Sequence, residues 1–265
     1  MRHLVSCPIC PAENLNAGNT TFISYGNNST YELTCGNGHG YIALIQNQQF
    51  ELLFEMALQA LDDGYYREAV MSAATSLESF FGYYVRLIWT HQGVPPEEAE
   101  ATWKRIRLAE RRIGLFLGLY VLENKASAPT LQQRIESPFN TIELRNEVTH
   151  NGYIPTEVEA TSYCGFVYKY ISDIERELPD HYSDSIARRF FDQQKQFLLC
   201  LNREKPEAER RPVQTTTDRT ALEFLHYNGN SEPRPFSEAF SRSKEHQKDL
   251  ARLSAVFAAP LSTEE

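Results

Sequence analysis

The amino-acid sequence predicts a mainly α-helical protein, an antiparallel bundle of four or five helices with a small β-structured segment in front of it. Two observations support this prediction. Between residues 47 and 180, apolar residues recur at steps of three and four, which is the period of a helix that buries one face. Before residue 47, short β-prone segments alternate with turns rich in Gly and Asn. We therefore divide the chain into residues 1–46, 47–180 and 181–265.

The composition is that of an ordinary globular protein. Apolar residues make up 42% of the chain and aromatic residues 12%, which is enough to build a core. No apolar run approaches the roughly 18 residues of a membrane span, and the first residues lack the apolar stretch of a signal peptide. We expect a soluble, cytoplasmic protein with no membrane partner. The net charge of −9 argues against non-specific coating of duplex nucleic acid, but it leaves room for a local RNA site.

Two cysteine-containing turns lie in the N-terminal segment. Cys7 and Cys10 form a Cys-x-x-Cys turn, and Cys35 and His39 flank a Gly-rich turn further along. In a reducing cytosol such cysteines act as metal ligands or buried thiols rather than as a disulfide framework. The spacing predicts a Cys3His site for Zn²⁺, and the segment resembles a zinc ribbon. Four protein ligands leave no open position, so the zinc should be structural. The alternative is two unrelated cysteine sites in a loop-rich segment.

Short strands are expected around these turns. Thr20–Ser24 and Tyr31–Thr34 should pair as a hairpin through the turn at residues 25–29, and Tyr41–Ile45 should follow the second turn as a strand. A segment of about 40 residues rarely folds without a cross-link, and a bound metal ion would supply one.

The helical period then defines the middle of the chain. Capping and breaking residues separate the individual helices. The predicted helices cover residues 50–61, Tyr65–Thr90, Glu97–Leu122, Leu131–His150 and Thr156–Leu178. Pro138 lies inside the fourth of these, which could kink or restart there.

Residues 181–265 form a C-terminal extension whose pattern is weaker. Ser185–Asn202 could be a helix that runs into a strand at Phe197–Leu201. We also expect a loop over Glu204–Asp218, a short strand over Ala221–Tyr227 and a helix over Glu238–Phe257. This extension could be a small domain, a dimer arm or a regulatory tail.

Polar side chains continue an apolar stripe at the end of the fourth predicted helix. Ile135, Phe139 and Ile142 share one face, and helical steps extend that face to Asn146 and then to His150. Polar residues on a packing face need partners. An interface at which two such helices meet would supply those partners.

Arg145-Asn146 followed by His150 resembles the Arg-x(4–6)-His motif of the HEPN superfamily, in its Arg-Asn-x-x-x-His form. The long helix before it, with residues 73–80, resembles an early HEPN helix that carries Ala, Leu and Glu in this order. The resemblance covers roughly residues 47–178 and implies a HEPN-like helical bundle. A bare motif of this kind also arises by chance.

The resemblance implies a metal-independent endoribonuclease of a defence or toxin system, with RNA as substrate. Such enzymes act as homodimers whose two motifs face each other, and an antitoxin or another regulatory protein can be a partner. By this analogy His150 is a general acid or base, Arg145 binds the scissile phosphate and Asn146 holds His150 or a phosphate oxygen. Cleavage would leave a 2′,3′-cyclic phosphate.

Further residues are candidates for supporting roles. Glu78 is a weaker candidate for orienting Arg145, and the pattern favours an ordinary exposed helix carboxylate. Arg86 and His91 repeat the Arg-x(4)-His spacing without the Asn, and we interpret them as cations favoured by a helix C-terminus. A basic run could guide RNA or form a solvated helix face, and it contains Lys104, Arg105, Arg107, Arg111 and Arg112.

Two classes of function therefore compete. The first is a dimeric HEPN ribonuclease. The second is a non-catalytic zinc-ribbon and helical-bundle scaffold that binds a protein or RNA partner.

Overall fold

The structure, a computed structural model, describes residues 2–11, 18–26, 29–178, 182, 199, 202–203, 205–206, 209–218, 220–222 and 234–258. It is mainly helical with small sheets, which confirms the predicted class. The chain forms two compact units, one of Met1–Asn47, Arg189–Arg219 and Lys244–Glu265, the other of Gln48–Arg188 and Thr220–Ser243. None of the described helices combines the length and the hydropathy that crossing a bilayer requires.

The first unit contains two small sheets. Strand β1 (Arg2–Ser6) pairs antiparallel with β2 (Thr20–Ser24). Strand β3 (Thr30–Thr34) pairs antiparallel with β4 (Gly40–Ile45), which in turn pairs in parallel with β5 (Val213–Thr216). Buried apolar residues lie at their centre, among them Val5, Ile23, Tyr41 and Ala43.

This topology corrects two predictions. The expected hairpin of β2 with β3 is wrong, because these strands belong to different sheets and each pairs with another neighbour. The predicted loop over residues 204–218 contains β5, which adds a third strand to the β3–β4 sheet. The parallel pairing gives β5 hydrogen-bond partners that its own flanking sequence does not provide.

A buried carboxylate joins distant segments of the first unit. The side chain of Asp218 is 1% exposed, and it accepts hydrogen bonds from Tyr25 Oη at 2.7 Å and from His246 Nε2 at 2.7 Å. Nδ1 of His3 lies 3.3 Å from the same carboxylate, while Asn47 exchanges hydrogen bonds with the Asp218 backbone. Burial raises the pKa of Asp218, but the hydrogen bonds from His246, His3 and Tyr25 outweigh it and hold that pKa well below its usual range.

The second unit is built around one long central helix. Helix α2 packs against α1, α3, α4, α5 and α6. Its buried face carries Phe80, Phe81 and Tyr84, and the rings of Phe81 and Phe116 lie 4.5 Å apart. The described helices that lie within this unit are α1 (Gln49–Asp62), α2 (Tyr66–His91), α3 (Pro96–Arg105), α4 (Ala109–Asn124), α5 (Thr141–His150) and α6 (Glu157–Glu177). Helix α7 (Phe236–Ala258) belongs to this unit up to Ser243 and to the first unit from Lys244.

Two predicted helices differ in extent from the structure. The predicted helix over residues 97–122 is two helices, because the backbone leaves the helical region at Ile106 and α4 begins after Leu108. The predicted helix over residues 131–150 begins only at Thr141, where Asn140 accepts hydrogen bonds from the first helical amides. Asn at an N-cap satisfies amides that have no partner inside the helix, which explains this start.

The C-terminal helix α7 confirms the helix predicted over 238–257. The predicted helix over 185–202 and the strand at its end, 197–201, lie outside the described residues apart from residues 199 and 202. The predicted strand over 221–227 is described only at 221–222.

Candidate functional site

Four side chains of the two cysteine turns converge at one point. The ligand atoms of Cys7, Cys10, Cys35 and His39 all lie within 4.8 Å of one another, and among the described residues this is the group that could hold a metal ion. Sγ of Cys10 lies 3.8 Å from Sγ of Cys35. The distances from His39 Nδ1 to the sulfurs of Cys10, Cys35 and Cys7 are 3.2, 3.7 and 3.9 Å.

Four of the six pairwise distances, from 3.2 to 3.9 Å, lie close to the edges of one coordination tetrahedron. With Zn–S of about 2.3 Å and Zn–N of about 2.0–2.1 Å, the edges are about 3.8 Å between sulfurs and about 3.6 Å between sulfur and nitrogen. The four residues therefore fit a tetrahedral metal ion. Because all four positions come from the protein, the group has no open coordination position for a reactant.

The second turn is shaped to present its sulfur as a thiolate. Gly38 has φ of +83°, a backbone conformation that residues other than Gly rarely adopt. Burial raises the pKa of Cys35, but backbone amides of His39 and Asn37 donate to its sulfur and the balance lowers the pKa to about 7. A thiolate is the form of cysteine that binds a metal. The side chain of Asn37 also donates to Sγ of Cys10 at 3.3 Å.

A second site lies on α5 in the helical unit. The Arg145 guanidinium donates from Nη2 to Oε1 of Glu78 on α2 at 2.7 Å, and from Nη1 to Oδ1 of Asn146 at 3.1 Å. The side chains of Arg145 and Glu78 are 30% and 33% exposed, so this ion pair is partly shielded from water. Two acceptors thus fix the plane of the guanidinium.

The remaining motif residue follows on the same helix. Asn146 and His150 are both exposed, and a separation of four residues places them as neighbours on one helix face. Thr149 donates back to the carbonyl of Arg145 at 2.7 Å, so its hydroxyl is used by the helix itself. The predicted stripe is divided in the structure. Ile135 and Phe139 precede α5 and pack against the core, whereas Ile142 in the first turn of α5 is 44% exposed.

The buried carboxylate of Glu159 accepts hydrogen bonds from residues on both sides of α5. This residue was not identified from the sequence. Glu159, in the first turn of α6, accepts from Ser137 Oγ at 2.8 Å and from Tyr153 Oη at 3.1 Å. The backbone amide of Thr156 donates to it at 2.8 Å. Ser137 precedes α5 and Tyr153 follows it, so Glu159 holds the helix that carries Arg145. The Thr-x-x-Glu spacing of Thr156 and Glu159 is the signal that could have identified this carboxylate.

The basic run is divided between two helices and their connection. Lys104 and Arg105 end α3, Arg107 lies in the connection, and Arg111 and Arg112 begin α4. Nε of Arg107 donates to the carbonyl of Lys104 at 3.1 Å, so part of this charge serves the local backbone.

Arg86 and His91, which share the spacing of the motif, are placed differently from Arg145 and His150. The guanidinium of Arg86 lies over the ring of Trp103, and the ring of His91 lies 4.2 Å from that of Tyr182. These two side chains therefore contact separate aromatic residues.

Comparison with models of protein families, with curated proteins and with solved structures finds no match to this chain.

Proposed function

We propose that this chain is a metal-independent endoribonuclease of the HEPN type, in which a structural zinc ion stabilises the N-terminal segment. The observation that carries the proposal is the 2.7 Å ion pair of Arg145 with Glu78, which joins the two helices that the family resemblance singles out. A guanidinium that is fixed beside an exposed Asn, with an exposed His one helical turn beyond that Asn, fits the binding of a phosphodiester. The geometry favours the orienting role of Glu78 over that of an unpaired surface carboxylate.

The reaction needs one base and one acid. His150 of one protomer takes the proton of the RNA 2′-hydroxyl, whose oxygen attacks the adjacent phosphorus and forms the 2′,3′-cyclic phosphate. The bond from phosphorus to the 5′-oxygen breaks, and the other protomer's copy of His150 gives its proton to that leaving oxygen. Arg145 neutralises the charge that builds on the non-bridging oxygens. Asn146 holds a phosphate oxygen or the imidazole.

The zinc ion lies outside this chemistry. Three cysteines and one histidine form the ligand set of structural zinc sites, and thiolate ligands favour zinc over Mg²⁺ or Ca²⁺. When bound, the ion would cross-link the turn after β1 to the turn between β3 and β4. Its contribution is therefore to folding.

The exposed surface around α5 supports a homodimer. Ile142, Asn146 and His150 follow one another at steps of four residues, and beyond the helix Ile154 and Val158 are 74% and 52% exposed. Apolar side chains thus flank the polar cluster in a single chain. A second copy of the same surface would cover them and would bring two histidines to one phosphate.

Cleavage of RNA by the purified protein tests the proposal. We expect fragments of a single-stranded RNA that end in 2′,3′-cyclic phosphate, formed at the same rate with and without Mg²⁺. The matched control is the same strand with 2′-O-methyl groups, which should remain intact because it lacks the nucleophile. Intact RNA after incubation with a dimeric, zinc-containing sample would favour the non-catalytic scaffold instead.

Replacing Ile142 with aspartate should separate the dimer and remove activity. An acid in the first turn of a helix is compatible with the helix dipole, so Ile142→Asp should leave α5 folded while it places a charge in the interface. Leu117→Asp is the matched control, since Leu117 lies in the middle of α4, away from the unfavourable C-terminal end of its dipole, and is 37% exposed. Sedimentation and RNA cleavage are measured together. A monomer that cuts RNA at the wild-type rate, or a dimer lost only in Leu117→Asp, would contradict the proposed interface.

A further inference from the structure

Two arginines and a tryptophan form a cluster in the helical unit. Cζ of Arg86 lies 4.7 Å, and Cζ of Arg112 lies 4.6 Å, from the ring centroid of Trp103. The ring rests against Gly82, where an added Cβ would come within 2.8 Å of it. A glycine in the middle of a long helix therefore allows the indole to lie directly on α2. One aromatic ring organises two guanidinium groups from different helices.

The cluster is aligned with the candidate active site along α2. Glu78, Gly82 and Arg86 follow at steps of four residues, so they lie on one side of this helix. Glu78 holds Arg145 at one end of this row. At 1.5 Å per residue, Arg86 lies about 12 Å further along the axis than Glu78.

The two guanidinium groups carry like charges near each other. Burial lowers the pKa of Arg86, and the charge of Arg112 lowers it further, whereas Glu100 acts in the opposite direction. The contact of Arg86 with Glu100 is 3.5 Å long and about half exposed, so water screens it strongly. Nε of Arg112 donates to the carbonyl of Ile106 at 2.9 Å, and a guanidinium with five N–H groups retains donors for another acceptor. A shared anion would remove the repulsion.

We infer that Arg86 and Arg112, held by Trp103, bind a phosphate of the RNA strand several nucleotides from the bond that is cut. Each nucleotide of a stacked strand adds roughly 3.4 Å along the axis of the strand, so a separation of about 12 Å along that axis corresponds to roughly three to four nucleotides. This inference rests on the proposed ribonuclease function and deepens it. It gives the site a minimum substrate length, which Arg145 alone does not impose.

RNA binding by the full chain tests the subsite. The parent is His150→Ala, which keeps the substrate intact, and the probe is a labelled single-stranded RNA of about twelve nucleotides. Arg86→Gln and Arg112→Gln should each weaken binding about 5- to 10-fold at low salt. The double variant Arg86→Gln/Arg112→Gln should also reduce the slope of log affinity against log salt by about 0.7, the contribution of one phosphate contact on a single strand, and each single variant should remove part of that change. Arg67→Gln is the control, since it removes the same charge from the opposite end of α2.

Cleavage of two substrates by the otherwise wild-type chain completes the test. With Arg86→Gln or Arg112→Gln, kcat/KM should fall on the long strand and stay unchanged on a dinucleotide, which cannot reach the cluster. Affinity and salt slope equal to those of the parent would overturn the subsite, and so would a parent that binds no RNA. Binding that depends on both arginines, without any cleavage by the wild type, would keep the subsite and reject the ribonuclease.

Discussion

Replacing His150 with alanine should reduce RNA cleavage by about 10²- to 10⁴-fold, the range for loss of a positioned general acid or base. In the proposed dimer one substitution removes both the acid and the base, so we expect the upper part of that range. His150 is exposed at the end of α5, and its loss should not change the stability of the fold. The measurement is the initial rate of fragment formation, with the melting temperature as a check of folding.

Substitutions of Arg145 and Glu78 distinguish the effect of a guanidinium held in a fixed position from the effect of a positive charge alone. Arg145→Lys keeps the positive charge but loses the planar fork that contacts Glu78 and Asn146, and it should cost about 10²- to 10³-fold in kcat. Glu78→Gln keeps an acceptor for Arg145 and should cost less. In cells, growth arrest by the wild type should disappear with His150→Ala. Equal RNA fragmentation by the two proteins would reject His150 as the acid or base.

Replacing Cys35 with serine should release the metal and unfold the segment around it. Structural zinc contributes roughly 10–16 kcal/mol of apparent binding free energy to such small sites, and this energy is available only to the folded segment. A serine oxygen is a poor substitute for the thiolate whose pKa the turn lowers to about 7. We expect about one zinc per chain in the wild type and far less in the variant. Hydrogen exchange should show lost protection in β1 to β4.

A buried cysteine outside the cluster supplies the control. Cys164 lies in the core of the helical unit, so Cys164→Ala should lower stability through a small cavity but leave the zinc content unchanged. Zinc bound stoichiometrically by Cys35→Ser would show that Cys35 is not a ligand.

Local patterns in the sequence predict the parts of this structure that depend on local physics. The apolar period of α2 gives its bounds to within one residue, since a central helix buries most of its faces. The spacing of Cys7, Cys10, Cys35 and His39 predicts their convergence, because two tight turns bring each pair together. The sequence also offers Glu78 as a partner of Arg145, although the pattern alone favours an exposed carboxylate without that contact.

The misses have two physical causes. The start of α5 was signalled by Asn140 and Glu143, a capping pair that reading the apolar period alone passes over. Strand β5 is only four residues long, and its pairing with β4 involves chain segments so far apart that no local pattern indicates it. The contact of Trp103 with Gly82 likewise joins two helices. A glycine inside a helix indicates that another group comes close, but the sequence does not indicate that this group is Trp103.

The pairing of β4 with β5 has a consequence during synthesis. Asn47 and Asp218, which exchange hydrogen bonds beside this pairing, are 171 residues apart in the chain. At roughly 5–20 residues per second, the ribosome delivers the later partner about 10 to 30 s after the earlier one. Until then the edge of β4 is open, and an open edge can pair with another chain. If the metal binds early in synthesis, the edge of β4 is still unpaired at that point. We therefore expect aggregation of this protein to begin on polysomes, where several nascent chains lie close together.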